Sequence, residues 1–136
     1  MAIKTLGYFT NNEFVQSTTD KFYPVFNPST GEQIALMPRC TTAEVSKVID
    51  NANEAYKKWS KVPVIKRVQI LYKVRDLLIE HMDELTELCA TEHGKNWEES
   101  KGDILKAKEG TELACSMPSL LQGESLMDAS TGYDTH

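Results

Sequence analysis

Cys89 and His93 stand four residues apart in a stretch patterned as a helix, which turns a thiol and an imidazole to one side at the spacing of two metal ligands. A closed zinc site needs two more ligands, and neither Cys40 and Cys115 nor His81 and His136 are spaced to supply them. The expected reading is a core cysteine beside a helix-end histidine, with no metal. The three cysteines are odd in number and widely separated, a poor disulfide framework that fits a reducing, cytoplasmic compartment. Each is expected to pack as a small buried hydrophobe. The seven glycines never fall into G-x-G-x-x-G or G-x-x-x-x-G-K, so neither a dinucleotide nor a nucleotide phosphate finds its usual cradle. G-x-S-x-G and His-Glu-x-x-His are absent, and the three histidines offer no triad.

Between Ala55 and Arg75 there are seven basic residues and no acidic one, a run that could meet phosphate. Aromatic interleaving is limited to Tyr56, Trp59 and Tyr72, and two of these fall on apolar stripes, so a solvated helix face is the expected role. Trp59 and Trp97 read as core or docking anchors. Fifteen Lys and Arg against twenty Asp and Glu leave a formal charge of −5, which gives no long-range attraction to nucleic acid. No stretch approaches the ~18 consecutive apolar residues of a membrane span, and the first ten residues show no secretory signal. With 136 residues, 40% apolar and 26% charged, one globular domain is the default.

The elements that must position these residues divide into an early ribbon region and a later helical one. Tyr8, Phe9, Phe14 and Val15 flank Asn11-Asn12, and asparagine tolerates the positive φ that a two-residue hairpin demands. Phe22–Phe26 and Gln33–Met37 enclose Asn27-Pro28-Ser29-Thr30-Gly31-Glu32, a second turn that Gly31 can close. Thr41 with Glu44 forms a capping box, and Val45, Val48, Ile49, Ala52, Tyr56 and Trp59 make one apolar face of the helix that follows. That pattern calls for a surface helix packed against something apolar. The next stripe, Val68 to Cys89, crosses from a basic front to an acidic rear, which would oppose a single helix dipole. Two helices meeting near His81-Met82 relieve the conflict, with Gly94 just past the end of the second. Asn96 caps a third long helix running towards Pro118, in which Gly102 and Gly110 each cost about 1 kcal/mol relative to Ala and so mark close packing or a ligand wall. One more turn fits before Gly123, and the tail from Ser130 reads as a strand with no partner in the chain.

Taken together, the words Tyr8-Phe9-Thr10-Asn11-Asn12-Glu13-Phe14-Val15, Val25-Phe26-Asn27-Pro28-Ser29-Thr30-Gly31-Glu32-Gln33-Ile34-Ala35, Trp59 with Arg67, and Glu92-His93-Gly94-Lys95 resemble the aldehyde dehydrogenase superfamily. Within it, Trp59-Ser60-Lys61-Val62-Pro63-Val64, Gly102-Asp103, Cys115-Ser116-Met117-Pro118-Ser119-Leu120-Leu121, Gly123-Glu124 and Ser130-Thr131-Gly132-Tyr133-Asp134-Thr135 are most similar to the CoA-acylating methylmalonate-semialdehyde dehydrogenase branch. The resemblance implies an α/β fold of that family, of which this chain is an N-terminal β-ribbon segment followed by three to four α-helices. It further implies residues 1–40 as ribbon, 41–122 as helices buttressing a dinucleotide-binding domain, and 123–136 as the start of an oligomerisation strand.

The implied reaction is NAD-dependent: a cysteine thiolate attacks the semialdehyde, hydride leaves to nicotinamide, and the thioester passes to CoA as acetyl-CoA or propionyl-CoA. By the same resemblance the family's nucleophilic cysteine, oxyanion asparagine, glutamate and cofactor loop lie beyond His136, and Cys40, Cys89 and Cys115 match none of them. The chain is therefore expected to be a truncated member, inactive alone, with no catalytic residue and no NAD or CoA bound. Its expected partners are the remainder of the enzyme and, in the complete protein, further copies of itself; no nucleic acid and no membrane. Members of the branch carry an Arg that binds the substrate carboxylate, and Lys106 stands at that position, keeping the charge without the bidentate fork. Gly110, on the same face, is the second expected substrate-binding position. An ordinary solvated helix lysine is the alternative for Lys106. The competing expectations for the whole chain are a non-catalytic helical module that docks onto a separate chain, and the N-terminus of another aldehyde dehydrogenase branch.

Overall fold

The computed structural model describes residues 3–136. In chain order the elements are β1 (Lys4–Thr5), β2 (Tyr8–Thr10), β3 (Glu13–Val15), β4 (Phe22–Phe26), β5 (Gln33–Pro38), α1 (Thr42–Trp59), α2 (Val64–Glu80), α3 (Met82–His93), α4 (Trp97–Cys115), α5 (Met117–Leu120), β6 (Leu126–Ser130) and β7 (Tyr133–Thr135). Four long helices and one single-turn helix follow the ribbons, as the sequence pattern leads one to expect. Where length alone suggests one domain, the chain forms two compact units: the chain up to Val62 with Asp83–Lys101, and Pro63–Met82 with Gly102–His136.

In the first unit, β2 and β3 pair antiparallel with Phe9 opposite Phe14, and Asn11 and Asn12 turn between them at φ 50° and 64°. The two rings meet edge to face at 5.0 Å, a contact that adds to their area burial. β4 and β5 form the second antiparallel pair, closed through Asn27: its carbonyl accepts from the Gly31 N–H at 2.8 Å and its side chain from the Ser29 N–H at 2.9 Å. Gly31 takes the left-handed conformation, φ 74°, that the closure requires. Pro24 lies in β4, an edge strand, where its missing N–H breaks no ladder. The unforeseen member is β1, which pairs parallel to β5 with Lys4 opposite Ala35, giving the order β1-β5-β4. Two residues are too few to show a strand period, so only the non-local pairing reveals it.

The capping box of α1 forms as the residues require, with Thr41 extended at φ −71°, ψ 156° and the Glu44 N–H bonded to its hydroxyl. The apolar face does not become a core: none of the 18 residues of α1 is buried, and Ile49 and Tyr56 are 61% and 64% exposed. α3 ends where Gly94 takes φ 70° and donates its N–H to Ala90. A Cβ at Gly94 would lie 2.8 Å from Pro28 Cγ, so the β4–β5 turn and the α3 terminus approach as closely as glycine permits. Asn96 caps α4 through its side-chain oxygen, which accepts from the Glu99 N–H at 2.9 Å.

In the second unit, α2 follows Pro63 and stops at His81, whose φ −100°, ψ 20° leave the helical region. The break predicted from the charge reversal is there. Val68 is buried on α2, which packs against α5. The tail strand does have a partner, contrary to the sequence reading: β7 pairs antiparallel with β6, Ser130 opposite Tyr133, around Gly132 at φ 78°. Leu126–Ser130 lacks strand alternation and carries an irregularity at Asp128, φ 52°, which hid it. The cysteine expectation also needs correcting. Cys115 is buried, whereas Cys40 and Cys89 are half-buried, and none of the three is in a disulfide.

The two kinds of glycine respond oppositely to substitution. Gly94→Ala adds a Cβ at positive φ against Pro28 and lowers the urea midpoint by the equivalent of at least about 1 kcal/mol. Gly110→Ala fills open space in a helix interior and raises stability by up to about 1 kcal/mol. Equal shifts for the two variants would contradict these placements.

Candidate functional site

Helix α4 places Gly102, Lys106 and Gly110 at four-residue steps, so the lysine sits on one face between two positions without side chains. A Cβ built at Gly102 or Gly110 would meet no atom within 4 Å. The close packing considered for both glycines is therefore not formed among the described residues; an open helix face is. The Lys106 ammonium is drawn to Glu109 Oε2 at 2.7 Å, one turn along the same helix, with the two side chains 79% and 55% exposed. The hydrogen bond from Lys106, followed by its charge, holds the Glu109 carboxyl below its usual range. Sequence reasoning singled out Lys106 and missed Glu109, although opposite charges three apart on a helix were the available signal. As it stands, the arrangement is an exposed cation already held by a neighbouring carboxylate, at the edge of a surface that a ligand or another backbone can approach.

A second region lies wholly in the first unit. Tyr8, Phe9, Cys40, Val45, Val48 and Ile49 line an apolar recess of about 200 Å³ between the β2–β3 ribbon and α1. At its margin Glu44 gathers donors from two directions. The Thr41 N–H (2.7 Å) and hydroxyl (3.0 Å) bind it from the cap. The Thr18 N–H (2.8 Å) and Ser17 hydroxyl (2.9 Å) bind it from the segment leading into β4. These bonds, first that from the Thr18 N–H and then that from Thr41, lower the Glu44 carboxyl to about 2. A permanently ionised, fully engaged carboxylate is an anchor and has no proton to exchange near neutral pH.

The remaining residues flagged by type are mostly solvated. Lys57, Lys58, Lys61, Lys66 and Lys73 are exposed, and Arg75 is turned to Asp76 and Tyr72. Arg67 is half-buried, with an Nε atom that has no hydrogen-bond partner. Trp59 and Trp97 are 42% and 43% exposed, so neither is a core anchor in this chain. Cys89 is half-buried and His93 exposed, and among the described residues no group of three or more His, Cys, Asp or Glu is placed to hold a metal ion.

The ribbons, the caps and the order of the helices together define a known class, and the chain belongs to the aldehyde dehydrogenase family, whose profile matches residues 14–135. Among curated relatives it is similar to malonate-semialdehyde dehydrogenase 2 of Oceanobacillus iheyensis, 43% identical over 133 residues, covering 98% of this chain and 27% of the relative. The malonate-semialdehyde dehydrogenase of Lacticaseibacillus casei is 37% identical over 132 residues, with 97% and 27% covered. Among solved structures, methylmalonate-semialdehyde dehydrogenase from Oceanimonas doudoroffii superposes with a TM-score of 0.86 at 32% identity, over 97% of this chain and 27% of that one. A Sinorhizobium meliloti 1021 protein assigned as a methylmalonate-semialdehyde dehydrogenase, complexed with NAD, gives 0.86 at 30% identity over the same shares. The chain thus spans just over a quarter of the length of the relatives it matches.

The Glu44 anchor has a directional pH signature. Its carboxyl lies below the ordinary 4.5 in the folded chain, so its contribution to stability is complete above about 4.5 and is lost as pH falls towards about 2. Glu44→Gln should lower the denaturation midpoint at pH 7 and flatten the profile across that acidic interval. Thr41→Ala, which removes the cap hydroxyl and spares the Thr41 N–H bond to Glu44, should cost about 1 kcal/mol. An unchanged acid profile in Glu44→Gln would overturn the anchor role.

Proposed function

We propose that this chain is the N-terminal scaffold of an NAD-dependent, CoA-acylating oxidoreductase that converts malonate or methylmalonate semialdehyde to acetyl-CoA or propionyl-CoA. One observation carries the scaffold assignment. α1 has an apolar stripe patterned for a core and buries no residue of it fully: Val48 is half-buried, and Val45, Ile49, Tyr56 and Trp59 are exposed. Burying a Val, Ile or Phe-sized side chain contributes about 1.5–3 kcal/mol, so four such residues left out of a core represent a face made for another surface. The substrate class rests on the similarity to malonate- and methylmalonate-semialdehyde dehydrogenases, and NAD on the family together with the NAD complex of one of those relatives.

Among the described residues there is no glycine-rich strand-to-helix turn of the kind that cradles a dinucleotide phosphate. No glycine stands in the Arg39–Thr41 connection from β5 to α1, the one strand-to-helix turn among the described residues. The resemblance to the family is the ground on which NAD, CoA and the nucleophilic thiolate are assigned to parts of the complete enzyme outside this chain. The chain's own contribution to substrate is Lys106, whose ammonium would meet the carboxylate of the semialdehyde along the open Gly102–Gly110 face. Glu109 already engages that ammonium, so the substrate carboxylate must displace it. The β6–β7 hairpin, exposed along both strands, is assigned to assembly of the complete enzyme.

Two measurements test this. The pure 136-residue chain, incubated with semialdehyde, NAD and CoA, should form no NADH above background; turnover by the chain alone defeats the scaffold reading. Co-expressed with the remaining three quarters of the Oceanobacillus relative, it should give a soluble, active complex. In that complex Lys106→Ala should raise KM for the semialdehyde about tenfold, the loss of one charge-assisted hydrogen bond, with kcat little altered. Lys106→Arg should lower KM by restoring a bidentate donor. Indifference of KM to both substitutions would leave Lys106 an ordinary surface lysine.

A further inference from the structure

We draw no further inference here: the strongest candidate, the apolar recess between the β2–β3 ribbon and α1 lined by Tyr8, Phe9, Cys40, Val45, Val48 and Ile49, is an unpartnered face and nothing in the structure shows what covers it.

Discussion

Hydrophobic burial is the term that holds a helix in place, and in α1 it is incomplete. Val45, Ile49, Tyr56 and Trp59 recur at helical spacing yet stand 47%, 61%, 64% and 42% exposed. An 18-residue helix in water is near the margin of stability on propensity alone. What fixes α1 here is its N-terminus: the capping box and the five donors that converge on Glu44 from Thr41, Ser17 and Thr18. A helix anchored by polar bonds at one end and presenting a partly open apolar flank is what supports the scaffold role proposed above.

Elsewhere in the first unit the chain is held by turns that tolerate little change. Asn11-Asn12 supplies two consecutive left-handed residues, Gly31 another, and Gly94 brings a helix end against Pro28. These are local devices, satisfied by two or three residues each, and they need no large core. The interior of the unit is correspondingly slight, with Ala35, Thr86 and Ser100 among its buried residues. Polar caps and tight turns thus set the backbone course, with few apolar residues fully buried among those described.

How much of this was readable from sequence divides along the same line. Turn and cap chemistry is local, so the Asn-Asn hairpin, the Thr41–Glu44 box, the Asn96 cap and the Gly94 terminus were all legible. The break at His81 was legible too, because a reversal of charge along a helix is itself a local cost. Other features were not. β1 depends on a partner 31 residues away, and Glu44 reaches Ser17 and Thr18 across 27 and 26 positions, which no periodicity encodes. The open space beside Gly102 and Gly110 was hidden for another reason: a missing side chain announces a close approach but not by what. At the candidate site, Lys106 was found through resemblance and Glu109 was missed, since ion pairing on a solvated helix face is common and worth little.

Trp59, on the α1 stripe, reports directly on whether that face is covered when the rest of the proposed enzyme is present. In a Trp97→Phe background Trp59 is the only tryptophan, and acrylamide quenching can be followed in dilute, monomeric chain before and after adding the remaining portion of a malonate-semialdehyde dehydrogenase. The account predicts ready quenching and red-shifted emission in the isolated chain, then protection and a blue shift in the complex. A Trp59 already shielded in the isolated monomer would contradict it.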